Sequence, residues 1–131
     1  MTYFAILSIY SFHLCDIEDF NKQISETGEY FPPTYKQDGF IHATLEPRML
    51  IDVANAFYKN SKATWICISL WSHELNDIRY EAPAPVGGVS ADAGHGAVKM
   101  PHIYGSITKA SICRSYTVSR SADGTFQKIN W

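Results

Sequence analysis

Residues 63–71, "ATWICISLW", set the tightest limit on what this chain can fold into. Nearly every position is apolar, so the run reads as a fully buried strand and both of its faces must be covered by other parts of the chain. With 131 residues available, the expectation is a single domain, residues 1–131, built around one core.

The flanking segments supply the cover. "TYFAILSIYS" reads as a first strand. "DIEDFNKQISETG" reads as a short amphipathic helix, with Asp16 as N-cap, Ile17, Phe20 and Ile24 at helical spacing and Gly28 as the stop. "EYFPPTYKQDG" reads as an aromatic loop, because two prolines remove donors and restrict the residues before them. "GFIHAT" then predicts a strand over 40–44. "LEPRMLIDVANAFYKN" predicts a helix with Pro47 in its first turn and Met49, Leu50, Val53, Ala54 and Phe57 in one stripe.

Beyond the buried run, "SHELNDIRYEA" predicts a turn and a strand at 78–82. The Gly- and Pro-rich residues 83–99 predict a long mobile loop over a site. "MPHIYGSI" and "KASICRSYTVSRS" predict further strands, and "ADGT" at 122–125 a hairpin into "FQKIN". Strands collected after the helices favour α+β over a doubly wound parallel sheet.

Composition narrows the function classes. A net charge of −2 without a Lys/Arg cluster argues against nucleic acid as a partner and leaves a small-molecule ligand. The apolar N-terminal run has no basic region before it, and Ser8 and Ser11 interrupt it, so no membrane span or signal is expected. Three widely spaced cysteines, Cys15, Cys67 and Cys113, predict reduced, packed thiols and a cytoplasmic setting. "GGVSADAGHG" lacks the Lys-Ser/Thr of a phosphate-binding loop, and no GxSxG or Cys-His pattern suggests a hydrolase.

The chemistry-bearing residues sit on the strands. Alternation puts Phe40, His42 and Thr44 on one face of the "GFIHAT" strand. "RYE" puts Arg79 and Glu81 together, where they either pair or act on a ligand: Glu81 to orient a hydroxyl or stabilise a cation, Arg79 to hold Glu81 ionised or meet a phosphate. "PHIYG" projects His102 and Tyr104 to one side. His42, Glu81 and His102 also make a metal-ligand set suited to zinc or iron, but without HxxxH spacing no metal is expected. His13 and His73 are assigned to structure or surface, and His95 in the Gly-rich loop to a lid contact.

"YFPPTYKQDGFIHATLEP", "VANAFY", "IRYEAP" and "MPHIYGSI", in this order, closely resemble the family called domain of unknown function 952, over about residues 3–128. Its members look like the ADP-ribosyltransferase fold, which implies split β-sheets with two main helices around a nicotinamide-dinucleotide cleft. The "His42-Ala43-Thr44" segment looks like a variant of the His-Gly-Thr segment of such transferases. That resemblance implies that His42 holds a ribose hydroxyl, Thr44 supports the strand and the Ala43 backbone pairs with a carboxamide. The late strand that carries a catalytic Glu in those enzymes carries "PHIYG" here, so either His102 takes a different role, Glu81 substitutes for that Glu, or the dinucleotide reaction is not performed; Glu81 and His102 are the catalytic candidates. Arg79, Tyr104 and Tyr35 join the ligand contacts.

Three expectations follow. The first is an enzyme on NAD or a related nucleotide, with NAD as substrate and chemistry at the ribosyl carbon. The second is an acid–base enzyme on an unrelated small metabolite using His42 and His102. The third is a ligand-binding module without turnover. Each is expected of a monomer or a homodimer.

Overall fold

In the computed structural model, which describes residues 9–88 and 98–131, the buried run forms β4 (Trp65–Trp71). It pairs antiparallel with β1 (Tyr10–Asp16) and with β8 (Ile112–Arg120), and β9 (Phe126–Asn130) completes a sheet of order β1-β4-β8-β9. Both faces of β4 are covered. Ile66, Ile68 and Leu70 pack with Phe20, Tyr30, Ile41 and Ile103, while Cys67 packs with Leu50, Ala54, Phe126 and Ile129. Each such large aliphatic side chain contributes about 1.5–3 kcal/mol when fully buried. The expected β8–β9 hairpin turns at Gly124 with φ 95°, where a Cβ would collide with the Lys59 carbonyl.

Two eleven-residue helices flank this sheet, as anticipated. α1 (Ile17–Thr27) is capped by the Asp16 carboxylate, which accepts from the Glu18 N–H at 3.0 Å, and closed by Gly28 at φ 76°. Another short helix follows in the segment read as a loop. The Pro32 carbonyl accepts the Tyr35 N–H at 3.0 Å and the Thr34 carbonyl accepts the Asp38 N–H at 2.9 Å, so one turn, α2 (Tyr35–Asp38), forms directly after the prolines. α3 (Pro47–Phe57) begins at Pro47 and buries Leu50 and Ala54. Among the described residues no helix is long and apolar enough to cross a membrane.

Two small sheets complete the α+β architecture, and among the described residues every strand pairing is antiparallel. β2 (Glu29–Tyr30) pairs with β7 (Ile107–Thr108). β3 (Ile41–His42), β6 (Met100–Ile103) and β5 (Ile78–Glu81) form a sheet of order β3-β6-β5. Phe12 and Thr44 exchange backbone hydrogen bonds at 3.0 and 2.8 Å, which ties β1 to the end of β3. β1, β3, β6 and β5 therefore lie side by side.

The first strand differs from its expected place. The described strand runs from Tyr10 to Asp16, and residues 2–8 of the expected one lie outside the described residues. Residues 89–97 of the Gly-rich segment, with His95, also lie outside them. The three cysteines are unpaired, and burial pushes the Cys67 thiol up to about 12.

Candidate functional site

The β3-β6-β5 sheet presents one polar, aromatic face. His42 lies directly opposite His102, and His102 directly opposite Arg79. Residues directly opposite across antiparallel strands project to the same side, so these three share a face with Glu81, two residues along from Arg79. Ring contacts extend it: Phe40 stacks on His102 with centroids 4.1 Å apart, and the Arg79 guanidinium lies 4.2 Å over the Tyr104 ring. Ile41 and Ile103 point the other way, into the core.

On this face two imidazoles each meet a carboxylate. His102 Nδ1 lies 3.0 Å from Glu81 Oε1, which also accepts the Tyr104 hydroxyl at 2.5 Å. The Tyr104 hydroxyl, then His102, hold the Glu81 carboxyl below the usual carboxylate range. Burial lowers the pKa of His102, against the raising effect of its bond to Glu81. His42 Nε2 lies 2.8 Å from Asp38 Oδ2, which also accepts the Gly87 N–H at 2.9 Å. The α2 turn and the segment after β5 are thus both fastened to the carboxylate that orients His42.

A third imidazole joins them. His13, mid-strand in β1, is only 6 % exposed, and its Nδ1 donates to the His42 carbonyl at 2.6 Å. Burial lowers its pKa to about 4, so it is neutral across the physiological range. Its Nε2 is buried and has no hydrogen-bond partner among the described residues.

His13, His42 and His102 line one cleft of about 410 Å³. Pro32, Pro33, Pro83, Ala84 and Val86 form one part of its wall, and Val53 and Phe57 of α3 another. Tyr58 and Trp65, which also line it, stack with ring centroids 4.2 Å apart. Among the described residues lining the cleft there is no Lys or Arg.

The sequence-derived candidates divide around this cleft. His42, Ala43, Thr44 and His102 line it, whereas Glu81, Arg79, Tyr104 and Tyr35 are not among the described lining residues. Glu81 and Tyr104 sit behind His102. Arg79 pairs with its neighbour Asp77 through Nε at 3.2 Å and Nη2 at 2.9 Å. Tyr35 packs its ring on Phe31 at 4.7 Å. The Thr44 hydroxyl donates to the Glu46 carbonyl at 2.8 Å, and the Ala43 N–H donates to the Pro101 carbonyl at 3.1 Å, so that N–H is not open to a carboxamide. Among the described residues no three His, Cys, Asp or Glu are grouped to hold a metal ion.

Two residues of the site, His13 and Asp38, lie outside the sequence-derived candidates. His13, assigned to structure or surface, is a buried residue that also lines the cleft, because β1 continues to Asp16 and its alternation turns Ser11, His13 and Cys15 inward. Asp38 stands four residues before His42, in a segment whose prolines predict a loop.

The family described as "Protein of unknown function (DUF952)" matches residues 15–115, within the 3–128 that the resemblance suggested. Among curated proteins none matches the sequence. The crystal structure of protein CC0527 from Caulobacter crescentus is similar with a TM-score of 0.70 and 17% identity, covering 90% of this chain and 93% of that one. The solution NMR structure of CC0527 gives a TM-score of 0.66 and 16% identity, covering 91% and 92%. The likeness is one of fold.

Proposed function

Because the chain belongs to the DUF952 family, whose description carries no reaction, we propose from its side chains that it is a small-molecule enzyme working by general acid–base chemistry. His102 and His42 are the proton carriers. One observation carries this reading: both imidazoles line the cleft while each is bonded to a carboxylate outside the lining. A carboxylate on one ring nitrogen fixes the tautomer and stabilises the imidazolium that forms when the other nitrogen takes a proton. His102, kept neutral by burial, is suited to take a proton from the ligand, and Glu81 acts through it as a positioning residue.

Incubation of the protein with pools of small metabolites, read by mass spectrometry, tests this. Conversion of a compound by the wild type is expected, falling about a hundredfold or more in folded His102→Gln and His42→Gln. A compound that binds and is recovered unaltered favours the binding module instead.

A second reading, an ADP-ribosyltransferase-like protein acting on NAD or a related nucleotide at the ribosyl carbon, is favoured by the position of His42, Ala43 and Thr44 on the cleft wall. The lack of Lys or Arg among the described lining residues weighs against a pyrophosphate there. NAD or ADP-ribose raising the melting temperature, with the rise abolished by His42→Ala, supports this reading. No shift with either compound counts against it.

A further inference from the structure

The hydrogen-bond partners of the three cleft imidazoles determine what each offers a ligand. A carbonyl oxygen only accepts, so His13 Nδ1, bonded to the His42 carbonyl, carries the ring proton and Nε2 is a bare lone pair. That Nε2 is the buried nitrogen with no partner among the described residues. An orphaned buried acceptor costs about 1–3 kcal/mol unless something donates to it. His102 Nδ1 faces the ionised Glu81, which leaves Nε2 as its acceptor. His42 Nε2 faces an Asp38 oxygen that already takes the Gly87 N–H, which leaves Nδ1 as the acceptor of the neutral ring.

The rest of the wall agrees in sign. The described lining contains no Lys or Arg, whose fixed charge an anion would seek, and it contains the acidic Asp16. The stacked Tyr58 and Trp65 add aromatic surface, which suits a flat or cationic body.

We infer that His13 is a ligand-binding residue, and that His13, His42 and His102 together select a flat, N–H-donating ligand of the amide, amino-heterocycle or amidine class over an anion. This takes the cleft as the ligand site of the proposed function but does not depend on turnover.

Benzamidine, benzamide and benzoate share one ring and differ in whether they donate or carry a negative charge, so their affinities test the inference. The wild type is expected to bind benzamidine and benzamide at least about tenfold more tightly than benzoate, equivalent to about 1.4 kcal/mol. His13→Phe, which keeps a ring of similar size but no acceptor, is expected to weaken benzamide by about tenfold. Long-range proton–nitrogen NMR of the intact wild type provides a readout that needs no variant to fold: His13 and His102 are expected to carry the proton on Nδ1, with Nε2 bare and perturbed when benzamide is added. Equal or tighter binding of benzoate, binding of none of the three, or a proton on His13 Nε2 overturns the inference. Donor-selective binding without conversion of any metabolite overturns only the acid–base reading. Conversion that depends on His102, with preference for benzoate, overturns only the ligand class.

Discussion

The inner and outer ends of the imidazole row are built from the same pairing but in different surroundings. At the inner end His13 is buried against a carbonyl, and His42 is held by Asp38, whose side chain is 7 % exposed and also anchors the Gly87 N–H. At the outer end His102 is the more buried imidazole, at 4 % against 17 % for His42, but its carboxylate, Glu81, is 41 % exposed and shared with Tyr104. Bonds made in a buried setting leave costly orphans when broken, whereas solvent replaces those made at the surface. The inner end therefore governs stability, and the outer end tunes a proton.

The largest test of that difference is acid. The folded-state pKa of His13, about 4, lies below its unfolded value of 6.5, so the unfolded chain binds the proton more tightly in that window. The stability is fully present above 6.5 and is lost as pH falls to about 4, a total of about 3 kcal/mol. Denaturant titrations over this range are expected to show the slope in the wild type and a shallower one in His13→Phe.

Asp38→Ala comes next. It strands the His42 Nε2–H and the Gly87 N–H, and an unfolding free energy lower by about 2 kcal/mol is expected. A loss as small as that of a surface substitution would erase the distinction between the two ends.

Glu81→Gln should be the mildest. The denaturation midpoint is expected to stay nearly unchanged, but His102 loses the charge that raises its pKa, so its NMR titration moves to lower pH. Tyr104→Phe removes the larger of the two donors that hold the Glu81 carboxyl down, and its titration, followed by carbon NMR, is expected to move up.

The parts of the fold legible in the sequence were those set by local pattern. The continuous apolarity of 65–71, the Asp16 and Gly28 caps and the Pro47 helix start all depend on neighbours in the chain. Alternation also placed His42, His102, Arg79 and Glu81 on strand faces. That these faces are one face depends on the β3–β6–β5 register, which no local pattern encodes. Thr44 shows where alternation stops working: β3 ends at His42, and Thr44 belongs to a bridge with Phe12, its hydroxyl turned to Glu46. The Arg79 charge met the nearer Asp77, not Glu81. The long apolar run before His13 draws the predicted strand toward the N-terminus, so that His13 falls beyond its end. Two prolines mask, in the sequence, the helical turn that presents Asp38.

The central claim is that a carboxylate-oriented His102 carries a proton at the cleft, and the pH dependence of kcat/KM for a converted metabolite tests it most directly. An acid limb below the ordinary histidine value is predicted, because burial lowers the pKa of His102, and Glu81→Gln is predicted to move that limb lower still. An acid limb that stays in place when Glu81 loses its charge would contradict the account.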